Sequence, residues 1–225
     1  MLKTFKKGGV HPEEHKLSAQ NKIVVLPPPP SVIIPFAQHI GAPAKPLVAK
    51  GDKVKTGQLL AQSNGFVSSN IHSSVSGTVI KVDIFLDITG YRRPAVQINV
   101  EGDEWIETID RSNELKKDIV HSPEEIIKII SEAGLVGLGG ATFPSHVKLS
   151  VPAGKKIEYL IVNGVECEPF LTADHALMLE KGEEIMVGIK IMMKALHVEK
   201  AIIGIENNKN DAVKYLSKLT KEENG

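Results

Sequence analysis

The stretch from 134 to 148, GLVGLGGATFPSHVK, constrains the fold of this chain more than any other segment. Four of its first seven residues are glycine, and ordering a glycine backbone costs more conformational entropy than ordering any other residue. The stretch follows an amphipathic helical pattern and precedes an apolar run. Such a concentration of glycine indicates either a turn with unusual backbone angles or a ligand that lies against bare backbone.

The segment SPEEIIKIISEAG predicts a helix that ends where this stretch begins. Ser122 is a favourable N-cap, Pro123 suits the first helical position, and Glu125 completes a capping box. Apolar side chains recur at helical spacing, and Gly134 is a typical residue to end the helix.

Strands and helices alternate after the glycines, which predicts an α/β domain from 120 to 225. KIEYLIVNG reads as a buried strand that ends near Asn163, and AIIGIE (201–206) reads as a second strand. A helix that starts at about 172 or 183 separates them, and another covers about 209–219. This order favours a parallel, Rossmann-like sheet.

The sequence pattern from 36 to 105 predicts a β domain, because short apolar runs are separated by glycine. GDKVKTGQLLAQ (51–62) and SSVSGTVIKV (73–82) resemble the barrel-sandwich hybrid fold of biotinyl and lipoyl carrier domains. Those carriers hold their cofactor on a lysine between the two pieces, but no lysine stands between Lys55 and Lys81. The sequence therefore predicts a docking or scaffold module rather than a carrier.

Residues 1–35 read as an extended segment, stiffened by the four prolines at 27–30. HPEEH (11–15) places two histidines four residues apart, as in some metal sites, but Pro12 argues against the helix that this spacing requires. We expect no metal there.

The composition excludes several classes of protein. Lys plus Arg and Asp plus Glu both total 27, so no basic excess indicates nucleic-acid binding. The single cysteine cannot hold an iron–sulfur cluster by itself. No apolar run is long enough to span a bilayer, and the first residues do not read as a signal peptide.

The glycine-rich stretch matches neither common phosphate-binding motif. A dinucleotide fingerprint would need glycine where Thr142 stands and would follow a strand, and no Gly-Lys-Ser/Thr ends a P-loop. An anion and ring cradle remains possible, formed by the backbone of Gly137, Gly139 and Gly140, with Lys148 as a positive charge. Pro144 is expected to begin a short helical turn with free N–H groups.

A second group of polar residues, NGVECEP (163–169), follows the first predicted strand of the α/β domain. Ligands of open α/β sheets bind at the carboxyl ends of strands. Asn163, Glu166 and Glu168 could therefore bond ribose hydroxyls or a heteroaromatic ring, or they could form an ordinary solvated loop.

These blocks together resemble a known family. GLGGATFPSHVK (137–148) resembles the flavin loop GRGGAGFPTGLK of the NADH-oxidising subunit of respiratory complex I, and NGVECEP resembles its NADESEP. GGVHPEEHK (8–16), LPPPP (26–30) and VIIPFAQHIGAPAKPLV (32–48) are similar to the RnfC subunit of the Rnf electron-transport complexes.

The resemblance implies an enzyme subunit that carries FMN, exchanges hydride with NAD(H) and passes electrons to two [4Fe-4S] clusters. Such complexes couple ferredoxin oxidation and NAD+ reduction to ion transport. The resemblance also implies a peripheral place on the cytoplasmic face of the membrane, with other Rnf subunits as partners and ferredoxin as an indirect one. The family continues into Cys-x-x-Cys clusters that this sequence lacks, so the chain is expected to correspond to the first half of an RnfC protein.

The resemblance also assigns roles to single residues. The backbone of Gly137, Gly139, Gly140 and Ala141 would line FMN, Phe143 would lie against the nicotinamide dinucleotide, and Lys148 would neutralise phosphate. Asn163 would bond the flavin, and Glu166 and Glu168 would face the flavin and nicotinamide as the catalytic candidates.

Three positions depart from the complex I pattern: Leu138 replaces arginine, Val165 replaces aspartate, and Cys167 replaces serine. These departures keep open a cofactor-free structural role, as in the related structural subunit of the sodium-pumping NADH:quinone reductase. The equivalent subunit of another flavoprotein reductase, such as a cobalamin reductase, is a second alternative.

Overall fold

The computed structural model describes residues 12–223; Gly8, Gly9 and His11 of the amino-terminal block lie outside these residues. The described residues divide into two compact units. The β-sheet unit comprises Leu26–Glu158 and Ile191–Val198, and the α/β unit comprises 12–25, Tyr159–Lys190 and 199–223. The domain boundaries expected from the sequence, at 1–35, 36–105 and 120–225, stay a prediction.

The strands of the β-sheet unit are short except for one long hairpin. They are β1 (Ser31–Pro35), β2 (Lys45–Pro46), β3 (Lys53–Val54), β4 (Leu59–Gln62), β5 (Ile71–His72), β6 (Gly77–Leu86) and β7 (Arg92–Val100). One sheet has the order β1-β7-β6-β3 and the other the order β2-β4-β5. All of their pairings are antiparallel.

Apolar side chains from both sheets form the core of this unit, as the short apolar runs predict. Phe36, Leu60 and Ile98 are almost completely buried in it. Burying a side chain of this size stabilises the fold by about 1.5–3 kcal/mol relative to leaving it exposed. The β domain predicted for this region is confirmed by these strands, and their antiparallel pairing is a finding of the structure.

The segment between β4 and β5, where a carrier domain holds its lysine, is bonded to its surroundings. Ser68 Oγ donates to the Ala42 carbonyl at 2.8 Å, and Ala42 N donates to the Val67 carbonyl at 3.0 Å. Asn70 Nδ2 donates to the Glu132 carbonyl at 3.0 Å. These contacts fix the segment in place, which is the opposite of what a swinging cofactor arm needs.

The helix predicted by SPEEIIKIISEAG is present as α1 (Pro123–Glu132) with the predicted capping box. Ser122 Oγ accepts from Glu125 N, and the Glu125 carboxylate accepts from Ser122 N at 2.8 Å. Ile126 and Ile130 are buried with Leu149 of the short helix α2 (Ser145–Leu149). Gly134 follows the C-cap with φ +69°, which is the left-handed conformation that favours glycine.

The α/β unit contains the predicted strand–helix–strand order. Strand β8 (Leu160–Gly164) pairs in parallel with β9 (Ala201–Ile205). Helices α3 (Ala173–Glu180) and α4 (Gly182–Leu196) lie between these strands in the chain, and Lys181 separates the two helices. A helix therefore begins near each of the two alternative starts, about 172 and about 183, that the sequence predicts. Helix α5 (Asn210–Glu223) follows, and its Ala212 and Leu216 pack against Met178 of α3.

The parallel pairing is present, but the described residues contain two parallel strands, fewer than a Rossmann-like sheet. The antiparallel β region and the α/β region are thus both observed, while the complete parallel sheet stays a prediction. None of the helices in the part of the chain that the structure describes has the length and apolar character needed to cross a membrane.

Candidate functional site

The glycine loop, residues 134–148, is closed at its base by backbone hydrogen bonds. Gly137 N donates to the Phe143 carbonyl at 3.0 Å, and Ser145 N donates to the Leu135 carbonyl at 2.9 Å. Residues 138–141, between these bonds, are exposed, and Leu138 at the tip is 90% exposed. The loop thus presents its central glycines to solvent from a fixed base.

Backbone angles explain only one of the four glycines. Gly134 has φ +69°, whereas Gly137, Gly139 and Gly140 all lie outside the left-handed region. The left-handed position inside the loop belongs instead to Thr142, with φ +49°. A β-branched residue is unfavourable there, and the complex I loop has glycine at that place. The turn alone therefore does not account for three of the glycines.

The space around these three glycines differs from one to the next. Lys148 Nζ lies 2.7 Å from the position that a Cβ on Gly137 would occupy. A Cβ on Gly139 or on Gly140 would meet no described atom within 4 Å. The bare backbone of these two residues is thus open, and a flat group could approach it without meeting a side chain.

Lys148 supplies the positive charge that was expected beside the glycines. Its side chain is exposed, and none of the carboxylates between residues 12 and 223 forms an ion pair with it. Phe143 is half-buried and Ala141 is exposed. Gly137, Gly139, Gly140, Ala141, Phe143 and Lys148 therefore come together in one loop of the β-sheet unit.

The helical turn expected after Pro144 is present as α2, but it offers fewer free N–H groups than predicted. Ser145 N is bonded to the Leu135 carbonyl, and Lys148 N lies 3.4 Å from the Pro144 carbonyl. Val147 N also donates to the Pro144 carbonyl, so most of the backbone donors of this turn are already used. The Lys148 side chain is therefore a stronger candidate for anion binding than the backbone of this turn.

The acidic loop, residues 163–172, begins with the last two residues of strand β8 in the α/β unit. Asn163 Oδ1 accepts from Val165 N at 3.1 Å, which is an Asx turn that starts the loop. This bond leaves the amide NH2 of Asn163 as its free donor among the described residues. Asn163, Glu166 and Glu168 are neighbours in this loop, as the sequence motif requires.

The Glu166 carboxylate caps helix α3. It accepts from Asp174 N at 2.6 Å and from His175 N at 3.2 Å, so it satisfies two of the free donors at the start of the helix. Burial raises the pKa of the neighbouring Asp174, and the negative charge of Glu166 adds to this shift, while Lys209 opposes it. The carboxylate of Glu166 is therefore occupied by hydrogen bonds to helix α3.

The Glu168 side chain is exposed, and its carboxylate has no hydrogen-bond or ion-pair partner in the described part of the chain. Cys167, the only cysteine of the sequence, is exposed beside it. Glu168 is thus the acidic side chain of this loop that is available to a ligand. Over residues 12–223, no three His, Cys, Asp or Glu side chains cluster as a metal site.

In the described part of the chain, two lysines donate hydrogen bonds to the acidic loop, and the sequence identifies neither of them. Lys16 Nζ donates to the carbonyls of Glu166, Glu168 and Leu171, and Lys209 Nζ donates to the carbonyl of Val165. Lys16 is far away in sequence, so no local pattern could have predicted its bonds. The only signal was its place at the end of the HPEEHK block.

Comparisons with known proteins identify a family for each part of the chain. Residues 3–103 match the family model described as "RnfC Barrel sandwich hybrid domain". Residues 130–225 match the one described as "Nuo51 FMN-binding domain". The fold expected for the β region, and the link of the α/β region to complex I, are both confirmed.

Curated relatives cover nearly the whole chain. The chain is 49% identical over 226 positions to the RnfC-type subunit of the proton-translocating ferredoxin:NAD(+) oxidoreductase complex of Clostridium ljungdahlii, covering 97% of this chain and 47% of that protein. It is 46% identical to the same subunit of the Na(+)-translocating ferredoxin:NAD(+) oxidoreductase complex of Acetobacterium woodii, covering 96% of this chain and 48% of that protein.

The corresponding subunit of the ion-translocating oxidoreductase complex of Rhodobacter capsulatus is 42% identical, with 96% of this chain and 41% of that protein covered. The chain therefore spans about half the length of the curated relatives that it matches. Two family models in the expected order, and relatives that share one subunit name, agree with the resemblance of the glycine loop and the acidic loop. The chain belongs to the RnfC family of subunits of the ion-translocating oxidoreductase complexes.

Proposed function

We propose that the glycine loop holds FMN. The observation that carries this proposal is the open backbone of Gly139 and Gly140, where glycine is required neither by φ nor by a neighbouring atom of the fold. A glycine costs folding entropy, and the described residues give no reason for these two. A ligand that needs the space explains them. The match to an FMN-binding domain family supports the same ligand.

Lys148 is proposed to neutralise the FMN phosphate. Its ammonium lies over Gly137, in the same loop, and forms no ion pair among residues 12–223. A charged hydrogen bond to phosphate contributes about 1.5–3 kcal/mol. Ala141 and Phe143 complete the proposed contact surface, with Phe143 placed against the nicotinamide dinucleotide as the family resemblance implies.

The acidic loop is proposed to serve NAD(H). Glu168, with its free carboxylate, is the better candidate to contact the nicotinamide nucleotide, and the Asn163 amide is a candidate donor to the flavin. Glu166 is proposed to act mainly by holding α3 and the loop in place. When bound, FMN accepts two electrons as hydride and releases them singly, which is chemistry that belongs to the cofactor.

The chain is proposed to work as part of an ion-translocating ferredoxin:NAD+ oxidoreductase complex, as the names of its relatives state for those proteins. We further propose that this complex is associated with a membrane. Two [4Fe-4S] clusters would lie in the half of the relatives that this chain does not match. We place the chain on the cytoplasmic face of the membrane, with its β-sheet unit docked on other subunits and its parallel strands completed into a Rossmann-like sheet.

One observation favours a cofactor-free structural role instead. Leu138 is 90% exposed at the tip of the glycine loop, at the place of an arginine in the complex I loop. An exposed leucine supplies no charge to a ligand and suits contact with another protein. The open glycines beside it, however, have no role in that alternative.

The proposal is tested by titrating FMN into the 225-residue chain under anaerobic conditions, following the quenching of flavin fluorescence, and then adding NADH. Saturable binding and bleaching of the flavin by NADH support the complete proposal. Saturable binding without bleaching places the NAD(H) site outside this chain. No binding, by this chain or by a longer one that also includes the half of the relatives that this chain does not match, favours the structural alternative.

A further inference from the structure

A segment near the amino terminus runs along the acidic loop. This strap, residues 14–18, is about 150 positions away from the loop in sequence. Phe170 N donates to the Glu14 carbonyl at 2.9 Å, and the ring of His15 stacks on the ring of Phe170 with centroids 5.1 Å apart. Ser18 Oγ and Thr172 Oγ1 share a hydrogen bond of 2.7 Å. The HPEEHK block therefore holds the loop through its last residues.

Lys16 forms the central contact of the strap. Its ammonium donates to three backbone carbonyls of the acidic loop: Glu166 at 2.8 Å, Glu168 at 2.7 Å and Leu171 at 2.8 Å. A lysine ammonium has three N–H donors, so all of them are used. Lys16 thus has no donor left for a ligand anion, and its charge serves the loop.

The loop needs such a contact because its backbone is strained. Glu166 has φ +52° and Phe170 has φ +68°, and left-handed angles are unfavourable for both residue types. In addition, three carbonyl oxygens that converge on one point repel each other unless a cation lies between them. Lys16 supplies that cation, and the strap contacts each left-handed residue directly.

A second lysine acts in a similar way on the start of the loop. Lys209 is 3% exposed, and its ammonium donates to the Val165 carbonyl at 2.9 Å, to Glu206 Oε2 at 2.8 Å and to Asn208 Oδ1 at 3.2 Å. Both lysines line one cavity of about 290 Å³ in the α/β unit. Because their donors are occupied, neither ammonium is available to a phosphate in this cavity.

We propose that Lys16 is a positioning residue for the NAD(H)-binding loop: a built-in ammonium that gathers the carbonyls of the acidic loop and thereby sets the direction of Glu168. The part of this inference that concerns NAD(H) rests on the proposed function. The part that concerns the loop conformation rests on the hydrogen bonds of Lys16 alone.

Cys167 provides a direct measure of the loop conformation, because it is the only cysteine and lies exposed between Glu166 and Glu168. In Lys16→Ala, the rate of Cys167 alkylation by the neutral reagent iodoacetamide is expected to rise about five- to tenfold, as the loop opens locally. Lys22→Ala, at an exposed lysine a few residues away, is the matched control and is expected to react like the unchanged chain.

Chemical rescue distinguishes the loss of the three hydrogen bonds from the Lys16 ammonium from a general loss of structure in the variant. Adding n-butylammonium to Lys16→Ala is expected to restore the alkylation rate of the unchanged chain. Tetramethylammonium, which carries the charge but has no N–H donor, is expected to leave the rate high. If Lys16→Ala is unfolded without added amine, refolding by n-butylammonium alone supports the proposal. An unchanged rate in Lys16→Ala, or equal effects of the two amines, overturns it.

A second readout separates positioning from stability. In the FMN-loaded chain, Lys16→Ala is expected to weaken NADH binding about tenfold while FMN binding stays the same, and n-butylammonium is expected to restore NADH binding. Equal losses of both affinities would show a merely structural role and overturn the positioning claim. If neither the unchanged chain nor the longer one binds FMN, the proposed function fails, whereas the alkylation test still decides the role of Lys16 in the loop.

Discussion

The ammonium of Lys148 lies over the bare backbone of Gly137, 2.7 Å from where a Cβ on that glycine would stand. The two residues are brought together by the closed base of the glycine loop. A small residue at 137 thus determines where the positive charge of the loop sits. The proposed phosphate contact depends on this pair.

Lys148→Met is expected to weaken FMN binding about ten- to a hundredfold, because it removes a charged hydrogen bond to the phosphate. Flavin fluorescence quenching measures the affinity. Lys155→Met, an exposed lysine in the following loop, is the control and should bind FMN normally. Unchanged affinity in Lys148→Met would remove Lys148 from the proposed site.

Gly137→Ala is expected to weaken FMN binding with little change in thermal unfolding. The new Cβ would displace only the end of a flexible side chain, so the fold can accommodate it while the ammonium moves away. The double variant Gly137→Ala/Lys148→Met is the informative control. If Gly137 acts through Lys148, the alanine has no further effect in the methionine background, whereas additive losses would contradict the coupling.

Gly134→Ala is expected to destabilise the chain more than an alanine at another left-handed glycine. Gly134 has φ +69°, and a Cβ there would clash with the Asn70 carbonyl; Gly154 has φ +77° with open space around it. Urea unfolding should show a loss of about 1–2 kcal/mol for Gly154→Ala and about 2–4 kcal/mol for Gly134→Ala. Equal losses would mean that the Asn70 contact does not matter.

Lys209→Met is expected to cost about 2–4 kcal/mol of unfolding free energy, because it leaves Glu206 and the Val165 carbonyl without the buried ammonium that satisfies them. Lys181→Met, which breaks an exposed pair with Glu184, is the comparison and should change stability little. Urea unfolding measures both variants. Similar unfolding curves would show that burial of Lys209 is not what makes it important.

The stability of the β-sheet unit is expected to depend on pH through His72. Burial lowers the pKa of His72 from its ordinary value of 6.5. Between the folded and unfolded pKa values the unfolded chain binds more protons, so stability is complete above about pH 6.5 and falls as the pH drops below it. Urea unfolding at about pH 7.5 and about pH 5.5 should show this slope. His72→Gln should flatten it, and an identical slope in that variant would exclude His72 as the cause.

Local patterns predicted much of the fold. Ser122 and Glu125 mark the start of α1 because a capping box acts over one helical turn. Gly134 marks its end because glycine readily adopts the left-handed conformation that follows a helix. The runs around β8 and β9 predicted parallel strands because both are apolar and separated by helical segments. The sequence does not predict the break at Lys181 between α3 and α4, because the segments on both sides have a helical pattern.

The candidate site was predictable only in part. The glycines and Lys148 lie within one short segment of the sequence, so the glycine loop could be recognised from the sequence alone. The role of Glu166 as a cap of α3 depends on how the chain turns after Gly164, and the contacts of Lys16 join residues about 150 positions apart. Such long-range contacts leave no local period in the sequence, so the structure was needed to find them.

The most direct test of flavin binding at the glycine loop compares Gly139→Ala and Gly140→Ala with the unchanged chain. Neither alanine strains the backbone or meets a described atom, so both variants are expected to unfold at the same temperature as the unchanged chain. If FMN lies against this backbone, both should lose at least about tenfold in FMN affinity, because the new Cβ occupies the space of the ligand. Normal FMN affinity in both variants, with unchanged unfolding, would contradict the central claim that these glycines are open for a flavin.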